Sequence, residues 1–171
     1  DAVVVTHADA DHTGGIATVL AGTQGYFHHH KIDRILDVAE RSASPVVFFP
    51  EGGGGRPNDT DVGDISTAGL NVTSFGAFAR LSGKVPRVSI VSGYCFAGSA
   101  AFAGCSDVII ATDGTSLGMG GPAMIEGGGL GIHAPEDVGP MSVQEPNGVV
   151  DVLVRDETEA IDIAKRYLGF F

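Results

Sequence analysis

The chain has 171 residues, 43% of them hydrophobic and 18% charged, which is enough apolar content for one folded domain and too much for a disordered polymer. Ten Lys and Arg against 21 Asp and Glu give a formal charge of −11, which argues against nucleic acid as the main partner because phosphate binding needs a basic face. No apolar run approaches the ~20 residues of a membrane span, so a membrane is not expected as a partner.

The predicted elements alternate along the chain. AVVVT (2–6) reads as a short buried strand, and IATVLAG (16–22) as a second. From Tyr26 to Arg41 the apolar residues Ile32, Ile35, Leu36 and Ala39 recur at helical spacing. Pro45 stops that helix and opens PVVFFP, another buried strand. EGGGGRPNDTD is a loop, and Val62 to Ser82 a weaker helix interrupted by Gly63, Gly69 and Gly76. PRVSIVSG is a strand, GYCFAG a tight turn, AGSAAFAGC a helix of small residues, and DVIIAT a strand. GVVDVLV is a last strand. Asp156 then caps a final helix with Glu159 as capping-box partner and Ala160, Ile163, Ala164, Tyr167 and Leu168 on its apolar face. Strands alternating with helices predict an α/β domain, residues 1–171, with mostly parallel pairing.

Cys95 and Cys105 make neither a CxxC nor a disulfide framework, which fits a reducing compartment. DAVVVT and YLGFF read as elements already under way, so the chain looks cut from something longer. A cytoplasmic location is expected, or the mitochondrial matrix if the chain is a fragment.

Glycine is the compositional outlier, at 26 residues, roughly twice ordinary usage. The glycines fall in bursts at 52–55, 118–121 and 127–131. In VSIVSGYCFAGSAAFAGCSDVIIAT (88–112) a buried strand ends in a glycine turn, and a small-residue helix starts near Ala97. That arrangement puts the N–H groups of Gly98 and Ser99 at a helix start, where they attract negative charge. The EGGGGR loop, also just after a strand, offers further bare amides. Two such loops are what an oxyanion hole needs, and tight helix–strand packing asks for the same small residues.

The stretches TVLAGTQG (18–25), VVFFPEGGGGRPNDTD (46–61), SGYCFAGSAAFAGCSDVIIAT (92–112), GMGGPAMIEGGGLG (118–131) and NGVVDVLV (147–154) together resemble the carboxyltransferase subunits of biotin-dependent acyl-CoA carboxylases, of the propionyl-CoA and methylcrotonyl-CoA carboxylase type. The resemblance covers roughly residues 17–171 and corresponds to the N-terminal, acyl-CoA-binding half. It implies a crotonase-like (ClpP/crotonase) ββα spiral with a mostly parallel sheet. It also implies transfer of a carboxyl group from carboxybiotin to the α-carbon of an acyl-CoA through an oxyanion-stabilised enolate. The family's Cys-x-Ala-Gly-Gly turn is similar to Cys95-Phe96-Ala97-Gly98-Ser99, which makes the amides of Gly98 and Ser99 the expected oxyanion donors. The family's Ser-Gly-Gly-Ala loop is matched less closely by Glu51-Gly52-Gly53-Gly54. Gly53, Gly54, Ala97 and the following Arg56 are expected to bind acyl-CoA.

The partners the resemblance implies are the biotin carboxyl carrier and biotin carboxylase component, a second carboxyltransferase half, and further copies of the chain in a homo-oligomer. No metal is expected, and the isolated domain is expected to be inactive. A decarboxylase subunit running similar chemistry in reverse, and a non-catalytic scaffold, are alternatives within the same resemblance. A protease is disfavoured: Ser92 and Ser99 lie near the turn without a histidine placed by motif.

One stretch resembles something else. His7-Ala8-Asp9-Ala10-Asp11-His12, after a strand and before Gly14-Gly15, is similar to the metallo-β-lactamase ligand motif with Asp9 in place of the second histidine. His7, Asp9, Asp11 and His12 are therefore candidate metal ligands of a hydrolase. The remaining histidines, His28, His29, His30 and His133, fall in no recognisable ligand motif, and the stretch reads best as an inserted loop. His28 to His30, with Lys31 and Arg34, read as a solvated helix face. Cys95 reads as a small buried side chain and His133 as structural. Glu126 is expected to bond backbone amides, and Met119 and Met124 to pack in the core.

Overall fold

The computed structural model describes residues 3–6, 25–54 and 73–171. Five strands, β1 (Val3–Thr6), β2 (Val46–Phe49), β3 (Arg87–Val91), β5 (Val108–Thr112) and β7 (Val152–Val154), form one sheet in that order. Every neighbouring pair in it is parallel. β4 (Tyr94–Phe96) and β6 (Ser116–Gly118) make a second, two-stranded parallel sheet.

The strands are continuous apolar runs because both faces of the sheet are covered. Side chains alternate along a strand, so neighbours go to opposite faces. Val46 and Phe48 pack with Ile32, Leu36 and Ala39 of α1 (Tyr26–Ser42), Phe78 of α2 (Ser74–Arg80) and Phe102 of α3 (Gly98–Gly104). Val47, Val88, Ile90 and Ile110 pack with Ala160 and Ala164 of α6 (Glu157–Leu168). Phe102 is the hub of the first face, with ring centroids 4.9 Å from Phe48 and 4.6 Å from Phe75. A fully buried phenylalanine contributes roughly 1.5–3 kcal/mol from area alone.

α1 ends where Pro45 requires. Ala43 takes a left-handed conformation, φ 50°, and Ser44 N–H donates to Ala39 O at 3.0 Å, which closes the helix just before β2. Asp156 caps α6 as expected, its Oδ1 accepting from Glu159 N–H at 2.9 Å. Only half of the capping box forms. The Glu159 carboxylate turns instead to Arg155, accepting from its backbone N–H at 3.1 Å and its Nε at 3.0 Å.

Several expectations change. GYCFAG is a strand followed by a turn, because β4 finds pairing partners on both sides that no local pattern announces. The expected strand at 16–22 and residues 62–72 of the weak helix lie outside the described residues. The remainder of that weak helix starts at Ser74 and stops at Arg80. The short elements β6, α4 (Pro122–Gly127) and α5 (Met141–Gln144) were not anticipated inside and after the glycine-rich run. Met119 and Met124 are 65% and 63% exposed, so they do not pack in the core, and Glu126 is exposed with them. His29 is not on a solvated face. It is buried on α1, with Nδ1 3.1 Å from Ser74 Oγ and its ring against Phe75 and Phe102. Burial lowers its pKa, because the protonated ring would lose water.

Candidate active site

The carboxyl ends of β2 and β3 run into the small β4–β6 sheet, and the glycine loops meet there. Gly52 joins this sheet: its N–H donates to Tyr94 O at 2.7 Å, and its carbonyl accepts from Phe96 N–H at 2.8 Å. On the other side of β4, Ala97 N–H donates to Gly118 O at 3.2 Å. The chain entering α3 is thus held from both sides up to Ala97.

At Ala97 the backbone takes φ 51° and ψ −119°, a conformation that L residues rarely adopt. Such strain costs roughly 1–3 kcal/mol and persists only when the surroundings hold it. The turn resembles the strained strand-to-helix elbow that presents a nucleophile in many hydrolases. Here the elbow residue is alanine, so the turn offers main-chain polarity and no reactive side chain. Gly98 is the first residue of α3, and the first-turn N–H groups of a helix have no acceptor within it. Ser99 follows it in the first turn of α3 and is buried.

Gly54 sits against this turn with φ 89°. A Cβ placed on it would lie 2.5 Å from Ala97 Cβ, 2.8 Å from Gly98 N and 3.2 Å from Phe96 O. Glycine at 54 is therefore required twice, by its backbone angle and by the closeness of the Gly98 amide. Gly53, next to it, is exposed. The structure brings Gly54 against Ala97 and Gly98, with Gly53 and Ser99 their neighbours in the chain; all five were singled out in the sequence. Arg56 lies outside the described residues, as do His7, Asp9, Asp11 and His12. Among the described residues there is no group of three or more His, Cys, Asp and Glu placed to hold a metal ion.

Glu51 is the residue the sequence reading did not single out. It is half-buried, and Oε1 accepts from Ser92 N–H at 3.1 Å. Its other oxygen lies 3.5 Å from where a Cβ on Gly93 would stand. Burial pushes its pKa up to about 7, the Ser92 bond opposes the rise, and the charge of Glu157 adds to it. Cys95 is a small buried side chain, as expected; burial, and then Glu51, push its thiol far up, which leaves it protonated and unreactive. The one sequence signal for Glu51 is its position, directly after a buried strand and before four glycines.

Exposed apolar side chains gather in the segment that runs from β6 to a few residues beyond α4. Met119, Met124, Leu130 and Ile132 are all at least 63% exposed there. His133 Nε2 lies 3.2 Å from Leu130 O and braces this segment.

Three comparisons bear on these observations. The family model for the carboxyl transferase domain matches residues 4–171. That match runs through residues 7–12, the stretch that suggested a metal-dependent hydrolase. The methylmalonyl-CoA carboxyltransferase 12S subunit of Propionibacterium freudenreichii subsp. shermanii is 29% identical over 154 residues, 90% of this chain and 29% of that protein. The propionyl-CoA carboxylase beta chain of Saccharopolyspora erythraea is 27% identical over 155 residues, 90% of this chain and 28% of that protein. Among solved structures, a single-chain, multi-domain long-chain acyl-CoA carboxylase superposes with a TM-score of 0.78 at 57% identity, covering 86% of this chain and 14% of that one. The chain thus spans less than a third of the length of these relatives.

Proposed function

The chain belongs to the carboxyl transferase domain family and has its crotonase-like α/β fold, and from that premise we propose that it forms the acyl-CoA-binding part of a biotin-dependent acyl-CoA carboxylase. The observation that carries the reading is the Ala97 elbow, with Gly54 keeping side chains away from Gly98 N.

The reaction moves a carboxyl group to the α-carbon of an acyl thioester, and the α-carbon must first become enolate-like. Negative charge then gathers on the thioester oxygen. The Gly98 and Ser99 amides donate hydrogen bonds to that oxygen, from positions fixed in advance by β4, β6 and Gly52. Preorganised donors of this kind stabilise the transition state by ~3 kcal/mol each. Carboxybiotin, on a partner carrier protein, would supply the carboxyl group, and the biotin left behind would supply the base for the α-proton. The residues here fit that division of labour: the elbow carries alanine rather than a nucleophile, and it needs no side-chain base of its own. Gly53, Gly54 and Ala97 leave room for the acyl chain and pantetheine arm, and Arg56 pairs with a CoA phosphate.

The second carboxyltransferase half and further copies of the chain complete the site in this reading. Support comes from the exposed Met119, Met124, Leu130 and Ile132, since apolar surface of this kind is ordinarily covered by a partner.

The test is steric, because a backbone donor cannot be deleted by changing its side chain. Gly98→Val in the complete carboxylase is expected to abolish carboxylation of acyl-CoA while the protein still folds and assembles. Wild-type turnover in that variant contradicts the assignment.

A further inference from the structure

Glu51 is placed to control the elbow from behind. Its backbone leads directly into Gly52, which pairs with both ends of β4 through Tyr94 O and Phe96 N. Its side chain reaches the turn between β3 and β4 and accepts from Ser92 N–H, the residue after β3 and two before Tyr94. Gly93 is pinned from the opposite side: its N–H donates to Thr115 Oγ1 at 3.2 Å, and its carbonyl accepts from Ser116 N–H at 3.0 Å. Thr115 in turn donates to Val91 O and shares a contact with Thr112, whose hydroxyl donates to Ser92 Oγ at 3.2 Å. Gly93 itself has φ 151° and packs on the Glu51 carboxyl with no Cβ between them. Glu51 therefore ties the loop after β2 to the β3–β4 turn by its side chain, while its neighbour Gly52 ties that loop to β4. That register is what lays Gly54 on Gly98 N.

We propose that Glu51 is a positioning residue for the Ala97–Gly98 elbow, acting through Ser92 and Gly52, and that the elbow serves an anionic oxygen best when this carboxyl is protonated. The inference rests on the carboxyl-transfer reading above and deepens it. The neutral acid keeps its carbonyl oxygen as acceptor for Ser92 N–H, so the tie survives protonation. The ionised form adds a negative charge to the loop that carries Gly54, and a second negative charge developing at the elbow is then harder to form. The charged and titratable groups facing Glu51 are Glu157 at the start of α6 and Cys95 on β4. Glu157 acts in the same direction, by disfavouring a second charge, and Cys95 stays neutral. Burial, the largest influence, raises the Glu51 pKa to about 7, which puts the transition inside a measurable range.

The experiment compares wild type, Glu51→Gln and Glu51→Ala in the complete carboxylase, following the transfer half-reaction alone between pH 5.5 and pH 9. Wild-type kcat is expected to fall as pH rises through about 7. Glu51→Gln keeps the acceptor without the charge, so its kcat is expected to hold through that range. Glu51→Ala removes the tie, and kcat is expected to drop about 10-fold or more at all pH values with KM little changed, as small misplacements of reacting groups do. A wild-type profile in Glu51→Gln overturns the protonation claim, and a wild-type kcat in Glu51→Ala overturns the positioning claim. If Glu51→Ala does not fold, Glu51→Leu, of similar bulk and without the acceptor, takes its place, and a wild-type kcat there overturns the positioning claim. Gly98→Val, run alongside, separates the two levels: if it alone is inactive, the elbow reading stands and Glu51 falls, and if it is active, the elbow reading itself falls.

Discussion

Gly54→Ala is the sharpest small perturbation of the elbow. The added methyl carbon lies 2.5 Å from Ala97 Cβ and 2.8 Å from Gly98 N, against about 3.5–4.0 Å for comfortable carbon contacts. The loop and the elbow must move apart, which costs roughly 1–3 kcal/mol as overpacking does. An alanine at φ 89° adds ~1–2 kcal/mol of backbone strain. The sum, about 2–5 kcal/mol, is a large part of a typical folding free energy of ~5–15 kcal/mol but does not exceed it. A folded variant with a lower melting temperature is therefore expected. If the methyl also crowds the Gly98 donor, the transition state loses ~3 kcal/mol, a fall in kcat of about 100-fold or more. Gly83→Ala is the control: its φ is 72°, yet a Cβ there meets nothing within 4 Å. It carries the backbone strain without the collision. The assay is thermal unfolding together with the transfer half-reaction on an acyl-CoA for both variants. A Gly54→Ala enzyme that melts lower but keeps kcat within about 3-fold of wild type would refute the reasoning, because the elbow would then move without affecting the reaction.

Two further predictions concern stability. Asp107 accepts from Arg87 through Nη2 at 2.6 Å and through the backbone N–H at 2.8 Å, and the Arg87 side chain is only 6% exposed. Asp107→Ala leaves that guanidinium buried without its carboxylate. Because Asp107 is itself a third exposed, the expected loss is about 2–3 kcal/mol, below the 3–5 of a fully buried pair, and it is read from denaturant unfolding. His29 has a folded pKa below its unfolded value, so its contribution is complete above pH 6.5 and is lost as pH falls through the lowered value. His29→Leu is expected to flatten the acid side of the melting-temperature profile below pH 6.5, and an unchanged slope there would show that His29 does not titrate as buried.

Much of the fold is written in local pattern. The long amphipathic spacing of Ile32, Leu36 and Ala39 and the β-branched runs at 46–49, 87–91 and 108–112 are strong signals, and each became the expected element. β4 was missed because three residues carry no period and because its stability comes from Gly52 on one side and β6 on the other. His29 was misplaced for a related reason. Polar neighbours suggest a wet face, while the α1–α2 contact that supplies Ser74 joins residues 45 apart in sequence. Met119 and Met124 look like core residues by type, and nothing in a run of glycines says which side of the backbone will be covered. The elbow was legible because its small residues and glycines are a backbone requirement spelled out in sequence. Glu51 was not, since a carboxylate before four glycines reads as loop charge until Ser92 and Gly93 are folded against it.

The central claim is that the backbone at Gly98 and Ser99 holds the thioester oxygen of an acyl-CoA. The most direct measurement is an experimental structure of the complete carboxylase with a non-reactive acyl-CoA analogue bound. The account predicts that oxygen at about 2.7–3.1 Å from Gly98 N, with Gly54 beside it and no side chain between. A thioester oxygen bound by other donors, with the Ala97–Gly98 elbow turned away from the acyl group, would contradict it.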